Sequence, residues 1–478
     1  ETLVQATIDT DGRLLSLFAC PQSRGLRLYA VMGIENTGAF SVVAADIENS
    51  YPALTPDCPQ AHLFERELAE QWGVVPEDHP WLKPVRFHKS YRPDHDAWNR
   101  HPDNTILPCV TDFYQVAGEE VHEVAVGPVH AGIIEPGHFR FQCHGENVMH
   151  LEIALGYQHR GIEQAILQNP KRAIHYTETL AGDTTIGHAQ AYCQTIEALS
   201  QTRVPFRGEE IRGIALELER LANHTGDLGA LAGDVGYLPT MSFCGRLRGD
   251  FLNMTGLICG NRFGRGLIRQ GGVKHDLTPA LCEQLLERLE STYKDLKIAI
   301  DLLWNTPSVM ARFENTGAVT RDTCNQLGLV GVAARACGTL RDVRFEYPYG
   351  IYRFISIPVA TWDTGDVFAR AHVRWSEITH SVDFLRERLT ALSEGAAQAN
   401  PEPPLAPNTM TVSLTEGWRG EICHTAMTDA EGQLAHYKII DPSFHNWMGL
   451  ALALRNQQIS DFPLCNKSFN LSYCGFDL

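Results

Sequence analysis

The run Gly127-Pro-Val-His-Ala-Gly-Ile-Ile-Glu-Pro-Gly-His-Phe-Arg-Phe-Gln-Cys-His-Gly-Glu-Asn-Val-Met-His-Leu-Glu-Ile-Ala-Leu155 changes character half-way. Up to Gly137 it is dense in Gly and Pro and reads as a turn-rich loop. Beyond it, His138–Cys143 and Val148–Leu155 alternate apolar and polar residues about the turn His144-Gly-Glu-Asn147, which predicts an antiparallel β-hairpin. Upstream, residues 12–47 alternate in short segments (Leu14–Phe18, Leu26–Met32, Phe40–Val43) and read as a small antiparallel sheet. His62–Trp72 then carries charge on one face and Leu63, Leu68 and Trp72 on the other, a helix that Gly73 closes. Residues 89–120, rich in Asp, His and Asn, read as a linker.

Downstream, helices dominate. A 3.6-residue period runs through 188–200, 209–232 and 278–304. In 368–392, Phe368, Trp375, Val382 and Leu389 alternate with Ala371, Ile378, Leu385 and Leu392 in heptad spacing, a bundle seam that should place Trp375 and Leu385 in the core. Residues 393–407 read as a surface loop, and 409–440 return to strand-like alternation. The expectation is an α+β fold: a small N-terminal α+β domain over 1–88, a linker over 89–120, and a large domain over 121–478 with an antiparallel hairpin region and a long central helix bundle.

Composition narrows the function. With 44% hydrophobic and 20% charged residues the chain of 478 is globular, and 57 acidic residues against 40 Lys and Arg give a charge of -17. Such a charge repels phosphate backbones, so no nucleic-acid partner is expected. Apolar runs such as Leu296–Trp304 and Met448–Leu454 fall short of the roughly 18–20 residues that cross a bilayer. No basic stretch followed by an apolar one opens the sequence, which predicts a cytoplasmic address. The thirteen Cys are scattered without a single C-x-x-C, as suits reduced, buried thiols. Eight His fall within 122–188, where capping and hydrogen bonding explain them better than metal ligation. Gly260, Gly264 and Gly266 lack the context of a phosphate loop and read as turns.

Two runs, Gly127–Phe141 and Leu155-Gly-Tyr-Gln-His-Arg-Gly-Ile-Glu163, resemble the opening of the large subunit of membrane-bound nickel–iron hydrogenases of the formate-hydrogenlyase type, relatives of the 49-kDa subunit of respiratory complex I. Further matches follow in order: Glu217-Leu-Glu-Arg-Leu-Ala-Asn-His224 with Gly226-Asp-Leu-Gly229, Gly264-Arg-Gly-Leu-Ile-Arg-Gln-Gly-Gly-Val273, Arg335-Ala-Cys-Gly338 with Asp342-Val-Arg344, and Arg419-Gly-Glu421. Upstream, Phe64-Glu-Arg-Glu-Leu-Ala-Glu-Gln-Trp-Gly73 with Asp78-His-Pro80 resembles the complex I 30-kDa subunit, fused in front of the large subunit in this hydrogenase type.

The resemblance implies two cysteine pairs holding nickel and iron, because four soft thiolates are needed there. Aligned on Glu178–His188 and on Asp441-Pro-Ser-Phe-His-Asn446, those positions hold Ala181, Thr184, Ser443 and Asn446. Nickel–iron chemistry is therefore not expected, and no cofactor is expected to be bound by this chain. The complex I relative implies quinone reduction instead. His138 matches its headgroup His, with His130 at the start of a longer loop, but its Tyr position falls on Gly182 and Tyr192 lies nearly three turns on. Glu135, His188, Arg419, Asp183 and His445 complete a candidate polar cleft that either handles protons and an acceptor such as quinone or merely satisfies itself.

Taken together, the resemblance implies an oxidoreductase-complex subunit, peripheral on the cytoplasmic side of the inner membrane. Its partners would be an iron–sulfur small subunit, carrying the cluster, and membrane-embedded ion-translocating subunits. The rival is a catalytically silent scaffold. The tail Asp461–Tyr473 is apolar enough to be docked, on the large domain or on the small subunit.

Overall fold

A computed structural model describes residues 12–34, 37–101, 103–399 and 404–478. Residues 1–11 and 35–36 of the expected N-terminal domain, 102 of the expected linker and 400–403 of the expected 393–407 loop lie outside these. The architecture is α+β, with short antiparallel sheets around a long helix bundle.

Strands β1 (Gly12–Pro21), β2 (Leu26–Ile34) and β3 (Ala39–Ile47) form an antiparallel sheet in that order. Nine of the ten residues of β1 are buried, on both faces, because this strand also packs on the C-terminal part of the chain. There Arg13 donates twice to Glu421 (2.7 and 2.6 Å), and Phe18 stacks on His436 at 4.7 Å. Helix α1 (His62–Trp72) ends on Gly73 in the left-handed region (φ 64°), as its sequence predicts.

The charged face expected for α1 is not solvated. Glu65, Glu67 and Glu70 are all buried, because residues 83–87 and the C-terminal sheet cover that side. Glu65 accepts from Leu54 N and Thr55 N, and Glu70 from Val85 N, Arg86 N and Phe87 N. Glu67 pairs with Arg86 and with Lys438 (2.6 Å). Acidic residues spaced like a wet face are instead the polar ties of a helix buried all round.

Strands β4 (Val121–Val126), β5 (His138–His144) and β6 (Asn147–Ala154) form the predicted hairpin region. Helices α2 (Thr185–Ser200), α3 (Phe206–Asp234), α4 (Leu238–Cys259), α5 (Pro279–Trp304) and α6 (Val367–Thr390) follow, with shorter ones between. Most of α3 is buried, so it is the centre of the bundle. On α6, Leu385 is buried as expected, whereas Trp375 is half-buried and stacks on Tyr293 (6.2 Å) at the edge of the seam. Strands β7 (Met410–Gly417), β8 (Gly420–Thr428) and β9 (Leu434–Ile440) make the last sheet, and α7 (Pro442–Ala453) starts on an Asp441 N-cap.

One hydrophobic core runs from the N-terminal strands through the bundle to the last residues. The tail docks on the large domain: Asp477 accepts from Gly156 N and Gln158 N, both at 2.8 Å, and Leu478 O accepts from Arg160 N at 2.7 Å. A Cβ at Gly137 would meet the Tyr473 ring at 2.7 Å, so only glycine lets the tail close on the hairpin. Among the described residues, no helix is long and apolar enough to cross a membrane.

The buried titrating groups set an acid limit. Burial pushes His62 and His436 to about 3 and His79, His159 and His445 to about 4, so below the ordinary His value the unfolded chain binds more protons. Burial also raises Asp234 and Asp477 to about 6, Glu416 to about 7 and Glu219 to about 8. Between the ordinary carboxyl value and these, the folded chain binds more protons, which has the opposite sign and offsets only part of the histidine effect: Glu65 and Glu209 are raised too, but burial also lowers His138, His150, His224, His372 and His424. Lower still, only the first effect remains. Glu217 and Asp342 then join it: burial is outweighed by Arg220 and Arg344 at Glu217 and by Arg344 and Arg335 at Asp342, which leave both near 2. Unfolding free energy should fall gradually from about pH 6 to 4.5 and steeply below about pH 4. Urea titrations across this range check it, and a stability that rises between pH 6 and 4.5 would contradict it.

Candidate functional site

A polar pocket of about 680 Å³ opens where α2 begins. The loop before β5 contributes Glu135, the turn before α2 contributes Gly182 and Asp183, α4 contributes Arg248, and the tail contributes Ser472 and Cys474. Asp183 is clamped by Arg419, whose Nη1 and Nη2 donate to its two oxygens at 2.6 and 2.8 Å. Arg419 also donates to Asn470 O (2.6 Å) and Thr184 Oγ1 (3.2 Å), and its guanidinium lies 3.9 Å from the Trp418 ring centroid. Burial pushes the Asp183 carboxyl up, but Arg419 more than offsets it and holds the group below the ordinary range. Gly331 (φ 64°) makes room for Arg419, since a Cβ there would sit 2.0 Å from the Arg419 carbonyl oxygen.

Beneath Asp183, Glu219 accepts from Ile186 N (2.7 Å) and Gly187 N (3.2 Å) at the start of α2. Burial outweighs these bonds and raises Glu219 to about 8. Two neighbouring carboxyls thus have their titration pushed apart, one ionised and one protonated at neutral pH. Behind them runs a fully buried chain. With Asp441 ionised, His188 Nε2 donates to Asp441 (3.0 Å), His424 Nε2 to His188 Nδ1 (3.2 Å) and Tyr437 OH to His424 Nδ1 (2.8 Å). Burial keeps His424 neutral by lowering it well below the ordinary value.

The four positions aligned with the family's thiolates lie in this region and are built in. Ala181 is buried, and Thr184 Oγ1 accepts from Arg419. Ser443 Oγ accepts from Ser472 N (2.8 Å), and Asn446 both accepts from Val330 N (3.0 Å) and donates to Val330 O (3.1 Å). Cys474 is the thiol at the pocket, pushed by burial to about 11. Among the described residues, no three His, Cys, Asp or Glu side chains converge as a set that could hold a metal ion.

Glu135, Asp183, Arg419 and His188 are therefore gathered at or behind the pocket. His138 stands apart from it: its ring accepts from Arg140 Nε (3.2 Å) and lies 5.3 Å from Phe113 on the other side of the hairpin. His130 is tied to Gly137 O (2.9 Å). His445 lies against Phe64 of α1 (5.6 Å). Asp441, His424, Tyr437, Glu219 and Arg248 were not singled out by sequence. The Asp441-Pro442 helix start and the motif around Glu219 were available signals, whereas His424 and Tyr437 meet only through the β8–β9 pairing.

The remaining motif residues build a separate buried network. Arg335 donates to Glu377 (2.9 Å) and Glu416 (2.8 Å), and Arg344 to Asp342 (2.6 Å) and Glu217 (3.1 Å). Arg220 reaches Glu217 (3.0 Å), and His224 pairs with Glu377 (2.8 Å). These groups tie α3, α6 and β7 together.

A hairpin-led sheet, a bundle centred on one buried helix and a closing sheet, joined around a polar pocket, define a large-subunit class of fold. Residues 234–413 match the family described as respiratory-chain NADH dehydrogenase, 49 Kd subunit. The carbon monoxide-induced hydrogenase of Rhodospirillum rubrum is 32% identical over 351 residues, covering 73% of this chain and 97% of that protein. Subunit 4 of the NADH-quinone oxidoreductase of Thermus thermophilus is 30% identical, covering 72% and 90%. Formate hydrogenlyase subunit 5 of Escherichia coli is 26% identical over 93% of this chain and 81% of its own length. The chain belongs to the family of complex I 49-kDa-related large subunits of membrane-bound hydrogenases.

Proposed function

We propose that this chain is the large subunit of a membrane-associated, complex I-like oxidoreductase that has no nickel–iron centre and passes electrons from an iron–sulfur partner to quinone or another acceptor. The observation that supports this reading is that the four positions which the resemblance aligns with thiolates hold Ala181, Thr184, Ser443 and Asn446, the polar ones already hydrogen-bonded within the chain. Such groups do not bridge soft metals. The pocket nevertheless keeps Glu135, Asp183 and a protonated Glu219 together. An acceptor reduced there needs protons as well as electrons, and Glu219, Glu135 and the chain from Tyr437 to Asp441 are placed to supply them.

Partners are supported by exposed apolar side chains on two elements that also line the pocket. Helix α4 exposes Leu238, Met241 and Phe243, and the loop before β5 exposes Val129 and Ile133, the last 87% accessible. In this reading an iron–sulfur small subunit covers the face, membrane-embedded ion-translocating subunits lie beyond it, and the assembly is peripheral on the cytoplasmic side of the inner membrane. His138, His130 and His445 would act at a distance from the pocket, as positioning groups.

The silent scaffold is the second reading, favoured by the closed Asp183–Arg419 and His188–Asp441 pairs, which leave those groups satisfied without any ligand. The complex purified with its natural partners decides between them by paramagnetic resonance. Clusters that are reducible and are reoxidised by a soluble quinone analogue are expected; clusters that the analogue cannot reoxidise overturn electron transfer and leave the scaffold.

A further inference from the structure

A second cavity, of about 390 Å³, lies on the other side of the tail, between α1, the β6 strand and α7. Leu63, Leu155, Trp447 and Phe476 give it an apolar floor, while Trp81 and Tyr114, packed edge-on at 6.0 Å, stand exposed at the mouth. One wall carries Arg66. Its Nε donates to Lys83 O (2.9 Å) and its Nη2 to Pro84 O (3.0 Å), and among the described residues it has no carboxylate in ion-pair range and no acceptor on Nη1. The other charges of this wall cancel, since Glu152 is paired with Lys83 and also accepts from Trp81 Nε1 and Tyr114 N. His62 and His79 are neutral through burial, and Arg66 itself is lowered to about 10 by the same desolvation.

A guanidinium half-withdrawn from water without a counter-ion is costly unless an anion completes it. The volume is that of a small-molecule site, largely apolar, with Arg66 as a cation not ion-paired among the described residues. We propose that this cavity binds a small amphipathic carboxylate, its apolar body against Leu155, Trp447 and Phe476 and its carboxylate on Arg66 Nη1. The site is independent of the polar pocket, whose tail residues are Ser472 and Cys474.

Calorimetric titration of the complex with octanoate, and with octanol as the uncharged probe, tests this. Octanoate should bind more tightly than octanol, and Arg66→Gln should weaken octanoate by about tenfold to a hundredfold, the loss of one charge-assisted contact, while leaving octanol unchanged. Should Arg66→Gln fail to fold, Met448→Trp fills the cavity from α7 and should abolish octanoate binding. No binding of octanoate, equal binding of the two probes, or octanoate binding that survives either variant overturns the proposal.

Discussion

Replacing Arg335 by Met should lower the unfolding free energy by about 3–5 kcal/mol, the cost of leaving buried carboxylates without their cation. Arg335 is fully buried and bridges Glu377 on α6 to Glu416 on β7, and it also donates to Arg341 O (2.6 Å). Glu377 keeps His224 and Arg220, so the damage falls chiefly on Glu416, whose other partner is Val343 N. Burial already lifts Glu416 to about 7 with Arg335 in place. Without the cation it should be protonated at neutral pH, and adding Glu416→Gln to Arg335→Met should recover about 1–2 kcal/mol. Arg335→Lys should fall between, because one ammonium does not reproduce a planar fork that reaches two carboxylates. Urea unfolding of the three variants reads these differences. A loss below about 1 kcal/mol for Arg335→Met would mean that the network is not a tie between bundle and sheet.

Glu67→Gln should cost a similar amount, about 3–5 kcal/mol, and in a different place. Glu67 is buried between Arg86 and Lys438, so the change leaves two cations facing each other across an apolar interface. Lys438 retains Glu163 (3.1 Å) and Arg86 retains Phe476 O (2.8 Å), which limits the loss but does not neutralise the pair. Because these residues join α1, the 83–87 segment and β9, the variant should loosen that junction before the bundle. Limited proteolysis should cut within 78–120 faster than in the parent, while the helical signal of the bundle persists. Uniform loss across the chain would contradict a local tie.

Most elements could be read from the sequence wherever one face is wet and the other dry. The hairpin about His144–Asn147 and helices α5 and α6 have that contrast, whereas the end of α1 was legible from its capping Gly73 and α3, buried nearly all round, from its 3.6-residue period alone. Helix α4 was missed because it lacks the contrast: it buries Cys244, Leu247 and Phe251 and exposes Leu238, Met241 and Phe243, so no period stands out. The charged face of α1 misled in the opposite sense, since Glu67 and Glu70 look solvated in sequence and are held by cations and backbone N–H groups contributed from residues 85–87 and 438.

The site followed the same rule. Asp183, Arg419 and Glu135 were legible because they sit in motifs that resemble a known family, while Glu219 lies inside such a motif and was passed over as an ordinary helix carboxylate. His138 was expected at the cleft from its alignment, but the period-two alternation of β5 sends Phe139 inward towards Trp447 and Tyr473 and His138 outward to Phe113. The chain from Tyr437 to Asp441 joins residues from α2, β8, β9 and the start of α7, a pairing that only the folded registers create.

Nickel and iron content of the complex, purified with its natural partners from nickel-replete cells, bears most directly on whether the family's metal centre has been lost. Iron at the stoichiometry of the partner's clusters with nickel near zero per chain is the expected result. Nickel approaching one atom per chain would contradict it.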